Sequence, residues 1–201
     1  MNIHSMTETP MTARVLDAAL EVLTERTYGG AAVPRVAERA GIGVGTIYRS
    51  FPGKEALANA VFRRAKQDLL DHLRSALAAL PDDAGTRARV QAMWTGLAAF
   101  AAADPAGFAY LEHQQHGSYL DAESEALAAQ VESLAVEVVH AGQASGDLRD
   151  GDPAVLVSLV FGAFVGLTKH ARALGAPIDD AVVVAAADAV WYLLRRPSTP
   201  S

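Results

Sequence analysis

Residues 36–57 read Val36-Ala37-Glu38-Arg39-Ala40-Gly41-Ile42-Gly43-Val44-Gly45-Thr46-Ile47-Tyr48-Arg49-Ser50-Phe51-Pro52-Gly53-Lys54-Glu55-Ala56-Leu57. Gly41 stops a short helix that starts at Pro34, and Pro52-Gly53 closes a second one over Val44–Phe51. Two short helices joined by a glycine-containing turn are the plan of a helix-turn-helix, whose second helix enters the major groove of DNA. Ala37 and Ala40 are small enough for the two helices to approach closely, and Ile42, Ile47 and Phe51 supply an apolar underside. Thr46, Tyr48, Arg49 and Ser50 are left to face a ligand, with hydroxyls and one guanidinium.

Working outward, the same style continues. Val15, Ala19, Val22 and Leu23 recur at helical spacing within Met11–Thr27, which is expected to end before Gly29-Gly30. No breaker interrupts Lys54 to Leu80, and Phe62, Leu69, Leu73, Leu77 and Leu80 mark one long helix of roughly 40 Å. Further helices are expected over Thr86–Ala103, from Asp104-Pro105 to about His116, over Asp121–Ala144, from Asp152-Pro153 to Leu174, and over Asp179–Arg196. Each Asp-Pro pair is a cap followed by a first-turn proline. Strand alternation and internal repeats are lacking. The fold class is all-α, with about nine helices: an N-terminal helix-turn-helix domain followed by a C-terminal helical domain.

Composition agrees. The 201 residues include 41 alanines and only 6% aromatics, which suits close-packed helices rather than sheets. The absence of cysteine excludes a disulfide scaffold, a thiolate zinc site and a cysteine nucleophile. Met1–Pro10 is polar and lacks the apolar stretch of a signal peptide, and the apolar run Val155–Leu167 is too short to span a bilayer, so a cytoplasmic protein with no membrane partner is expected. The net charge of −6 argues globally against nucleic acid, yet residues 26–66 hold eight basic and two acidic residues, a local +6. Residues 75–201 carry 7 basic and 15 acidic ones, a balance of −8. A block of this kind fits either a polyanion-binding surface or a solvated face.

The stretch Val36-Ala37, Ala40-Gly41-Ile42, Gly45-Thr46-Ile47-Tyr48, Phe51 and Lys54-Glu55-Ala56-Leu57 resembles the DNA-binding domain of the TetR family of bacterial repressors. Leu16-Asp17-Ala18-Ala19-Leu20 is similar to the family's first helix, so the likeness covers about residues 12–60. The resemblance implies phosphate contacts from Tyr48 and Lys54. It places further DNA contacts at Arg35, Val44, Gly45, Thr46, Arg49 and Ser50, with Arg49 as the reader of a guanine, since its planar fork matches O6 and N7. Three positions depart from the family pattern: Ala32-Val33 lacks the usual capping hydroxyl, Gly43 replaces a capping serine, and Ser50 replaces a histidine. The domain plan that follows is a mobile arm over 1–11, a DNA-binding head over 12–58, an effector-binding and dimerisation domain over 59–196, and a mobile tail over 197–201.

The resemblance further implies a ligand-responsive repressor that binds a palindromic double-stranded operator as a homodimer and is released by a small-molecule effector of unknown identity. Ser158, Gly162 and Gly166 fall at four-residue spacing on an apolar helix, and Val182, Ala186 and Val190 lie on the last helix. Paired across a two-fold these helices make a four-helix interface; the alternative is burial within one subunit. Effector-pocket candidates are Trp94, Phe100, Phe108, Tyr110, His113, His116, Tyr119 and Phe161, although core packing accounts for at least half of such rings. Catalysis is not expected. His113 and His116 form H-x-x-H, and Glu137 to His140 forms a single E-x-x-H, whereas a di-iron bundle needs two such motifs. No metal or other cofactor is expected.

Overall fold

The computed structural model of the chain describes residues 10–113, 116–176 and 178–197. Most of the expected arm, most of the expected tail and the side chain of His113 therefore lie outside the described residues. Among the described residues nine α-helices follow one another: α1 (Pro10–Gly30), α2 (Val33–Ala40), α3 (Val44–Ser50), α4 (Lys54–Ala78), α5 (Thr86–Ala103), α6 (Pro105–His113), α7 (Ala122–Ala144), α8 (Pro153–Leu174) and α9 (Asp180–Leu194). A 3₁₀ turn, His116–Ser118, stands between α6 and α7. Strands are lacking among the described residues; Leu148 and Arg195 form one isolated bridge.

Most boundaries follow from local chemistry. Asp104 and Asp152 cap as expected, accepting from the N–H groups of Gly107 and Ala154 at 2.8 and 2.9 Å. Asp179 does the same for Val182 at 2.8 Å. Some boundaries differ: α1 runs through Gly29-Gly30 instead of stopping before them, and α4, α6 and α9 end two or three residues before the expected Leu80, His116 and Arg196. Glycine weakens a helix by about 1 kcal/mol; in this last turn Tyr28 stacks on Tyr119, a contact that favours the extension.

The chain packs as two compact units. The first combines the described residues up to Lys66 with 104–126: α6 packs on α1, the Tyr110 hydroxyl of α6 reaches Ala58 O of α4, and Arg63 of α4 donates to Ser124 of α7. Its core holds Leu16, Ala19, Val36, Ile47, Phe62, Phe108 and Tyr110. The second unit combines 67–103 with 127–201. There α5 packs on α9, Trp94 donates to Val183 O at 3.1 Å, and its ring meets Phe164 edge-on at 5.1 Å. An Arg87–Asp188 pair at 2.8 Å fixes the same helices at the surface.

Apolar residues of α8 and α9 stay outside this second core. Val155 (54%), Leu159 (52%), Val182 (40%) and Val184 (59%) are exposed. The 22-residue α8 is by length and composition able to cross a membrane, because the short apolar run sits inside a longer helix. Val190, an expected interface residue, is instead buried inside its own subunit at 4% exposure, on the side of α9 that meets the protomer core. Phe161, an expected pocket residue, is 40% exposed on α8.

Candidate nucleic-acid interface

The turn between α2 and α3 is built by glycine and one arginine. Gly41 takes the left-handed conformation at φ 65°, and the Ile42 N–H reaches Ala37 O at 3.0 Å. Arg14 of α1 donates to Ala40 O at 2.7 Å, which fastens the end of α2 to the first helix. Neither Ala32 nor Gly43 offers a side-chain cap, as their residue types require; backbone bonds from Arg35 N–H to Ala32 O and from Thr46 N–H to Gly43 O close the first turns.

The seven-residue α3 buries one side and presents the other. Ile47 is 1% exposed, while Gly45, Tyr48, Arg49 and Ser50 are exposed, as is Arg35 on α2. Val44, Thr46 and Lys54 are half-buried. Arg49 donates to Thr46 Oγ1 at 3.0 Å, which holds the guanidinium along the helix. Of the eight DNA-contact candidates, then, five stand in the open and three at the margin.

Six of the eight cations in the +6 block fall into two groups. Arg39 is paired with Glu21 and Glu25 at 3.0 and 2.7 Å, Arg63 with Asp121 at 2.8 Å, and Arg64 with Asp17 at 2.8 Å. These cations are neutralised inside the unit. Among the described residues Arg35, Arg49 and Lys54 form no ion pair, and they flank or lie on α3. A surface with a short exposed helix, uncompensated Arg and Lys, and hydroxyls from Tyr48 and Ser50 has the chemistry of a phosphate- and base-contacting face.

Residues 15–61 match the family described as bacterial regulatory proteins, tetR family, and residues 62–196 match the tetracyclin repressor-like C-terminal domain. The chain belongs to the TetR family. It is a transcription regulator of that family, whose members are regulators and not enzymes. A fatty acid metabolism regulator protein of Bacillus subtilis (strain 168) is 31% identical over 64 residues, 32% of this chain and 33% of that protein, so the match spans about a third of that relative. A TetR family regulator from Marinobacter aquaeolei VT8 shares the fold at a TM-score of 0.79, with 20% identity over 93% of this chain and 96% of the other. A TetR family protein from Vibrio parahaemolyticus gives 0.69 at 26% identity, over 92% and 98%.

Within this TetR family chain the aromatic stretch 94–119 divides. Trp94 and Phe100 are core residues of the second unit; Phe108, Tyr110, His116 and Tyr119 belong to the first. An open cavity of about 430 Å³ in the second unit is lined by α4 and α5, with His72, Ser75, Thr95 and Gly96 among its walls, and none of the expected rings lines it. His116, Tyr110 and Tyr119 do come together. Tyr110 O accepts from His116 Nε2 at 3.2 Å, so in the neutral ring Nδ1 is the acceptor, and the Tyr119 hydroxyl donates to it at 2.5 Å. The Tyr110 hydroxyl in turn lies 2.7 Å from that of Tyr119.

Sequence reading did not single out the residues that hold this cluster. Asn59, 3% exposed, donates to Tyr119 O at 2.8 Å and accepts from Asp121 N–H at 3.0 Å. Asp121 caps α7 by accepting from Ser124 N–H, and this bond, reinforced by Arg63, holds its carboxyl below the usual range. The only signal was an amide at a position of α4 otherwise given to small and apolar residues.

Burial lowers the His116 imidazole from the usual 6.5 to about 4, and the Lys66 charge adds to this. The folded protein keeps it neutral while the unfolded chain protonates near 6.5, so stability is full above that pH and declines as pH falls toward 4. With partial exposure discounted, the loss is on the order of 1–2 kcal/mol. Urea titrations across this window are expected to show it, and His116→Phe to flatten it; an equal slope in the variant would assign the effect elsewhere.

Proposed function

We propose that the protein is a homodimeric repressor that binds a palindromic operator through α3 and is released by a small-molecule effector. The observation that carries this reading is the face of α3: Tyr48, Arg49 and Ser50 exposed above a buried Ile47, beside cations that form no ion pair among the described residues. In this reading Tyr48 and Lys54 meet phosphates. Arg49 reads a guanine, and Arg35, Val44, Gly45, Thr46 and Ser50 complete the contact surface. A second copy covers the apolar face of α8 and α9 at Ser158, Gly162, Gly166, Val182 and Ala186, which gives two heads for two half-sites.

The effector is bound by the part of the chain after the head, and differential affinity for two arrangements of the dimer is what couples it to DNA. Selection of bound fragments from random duplex DNA tests the central reading, with a two-fold symmetric consensus expected. The Tyr48→Ala, Lys54→Ala variant is expected to bind every duplex more weakly, and its log K against log salt to flatten by about 0.9 for each phosphate that is no longer neutralised. An unchanged affinity and slope would remove α3 and its flank from the DNA surface.

A further inference from the structure

Lys54, the first residue of α4, does not project freely. Its ammonium lies over the Tyr28 ring, 4.1 Å from the centroid, and approaches Gly29 O at 3.5 Å. That carbonyl belongs to the last turn of α1, where unpaired backbone oxygens carry partial negative charge. Tyr28 in turn stacks on Tyr119, with centroids 4.2 Å apart and planes inclined by 21°. Tyr119 is 6% exposed and has no freedom to slide: its hydroxyl is shared between His116 and Tyr110, and its carbonyl is held by Asn59. The sequence thus places an aromatic ring at the end of α1, a second ring behind it, and a cation in front.

Four rotatable bonds make a lysine side chain entropically unfavourable to order at the moment of binding. A ring face attracts an ammonium without using its three donors, so a cation seated on Tyr28 keeps N–H groups for a further acceptor. We propose that Tyr28 is a positioning residue for DNA binding: its ring, backed by Tyr119, seats the Lys54 ammonium where a phosphate is to be met. This rests on the reading of Lys54 as a phosphate contact. Burial, and then the neighbouring Glu55 carboxylate, keep the Tyr28 phenol above its usual value, so the ring stays neutral and its face available.

The test uses the full chain and random-sequence duplex DNA as the probe, titrated at several salt concentrations. Tyr28→Leu is expected to weaken binding two- to fivefold and to flatten the salt slope. Tyr28→Phe, which keeps the ring and removes the hydroxyl, is expected to bind as the unaltered protein does. In the Lys54→Ala background, Tyr28→Leu is expected to add nothing, and comparison within that background cancels any loss of fold common to both. Unchanged binding by Tyr28→Leu overturns the inference, and so does a further loss on top of Lys54→Ala. If Lys54→Ala alone leaves affinity and slope unchanged, the phosphate reading of Lys54 fails instead, which is a separate result.

Discussion

Gly162→Leu is expected to give a chain that folds, sediments as a monomer and loses most of its operator affinity. A Cβ built at Gly162 meets nothing within 4 Å, and the same holds at Gly166, so the protomer has room for the new side chain. Leucine is also a better helix former than glycine by roughly 0.5–1 kcal/mol, so α8 itself gains. The loss must therefore come from outside the protomer. On α8 itself Val155 and Leu159 share the helix face of Gly162 and Gly166 and are more than half exposed, and Val182 and Val184 of α9 are exposed as well; soluble proteins rarely leave much apolar surface uncovered. In the proposed dimer the small residues at 158, 162 and 166 let two α8 backbones approach, and a leucine on both copies holds them apart.

A single head then has one half-site. Losing the second one removes an intramolecular binding step worth on the order of 10²- to 10⁴-fold in affinity. Sedimentation velocity checks the mass. The melting temperature, which depends on concentration for a dimer and not for a monomer, checks the fold in the same sample. An unaltered dimer would take this face out of the interface. A monomer whose melting point has collapsed at every concentration would mean that Gly162 matters inside the subunit.

What the sequence made legible was local. The helix-turn-helix could be read because Gly41, Gly43 and Pro52-Gly53 punctuate it at fixed distances, and because Ile47 must face inward for the two short helices to pack. The aspartate caps at 104 and 152 announced α6 and α8 for the same kind of reason: a side chain bonding a backbone N–H two or three residues on needs no tertiary information. The stretch 94–119 divides between the two units for the opposite reason. Nothing in a single sequence says that α5 packs in one unit and α6 in the other. The charge block was equally mixed. Its sum was readable, but the pairing of Arg39 with Glu21 and Glu25, and of Arg63 with Asp121, spans 14 to 58 positions. Only the fold separates those cations from Arg35, Arg49 and Lys54. Val190 shows the limit on a helix face: α9 is apolar on both sides, and periodicity does not say which side the subunit keeps.

Asn59→Leu is expected to be among the most destabilising single changes in the chain, by about 3–4 kcal/mol. Leucine is larger than asparagine, so the effect is not a cavity, and overpacking of a site 3% exposed adds to the lost bonds. Asn59 makes three bonds in a site 3% exposed: its amide donates to Glu55 O at 3.0 Å and to Tyr119 O at 2.8 Å, and its oxygen accepts from Asp121 N–H at 3.0 Å. Glu55 O has the α4 ladder as an alternative partner. Tyr119 O and Asp121 N–H lie in a link with no ladder; the first bond is buried and the second half-buried, and a buried group left unpaired costs roughly 1–3 kcal/mol. For a chain of this length that corresponds to a fall of about 10 °C in the melting midpoint. The damage should also be local before it is global. Hydrogen exchange is expected to rise first around 119–124, where Asn59 and Arg63 tie the link to α4, while α8 and α9 keep their protection. A variant that melts like the unaltered protein, with the same exchange at Asp121, would show that water replaces the amide without penalty, and that Asn59 does not hold Tyr119 in place.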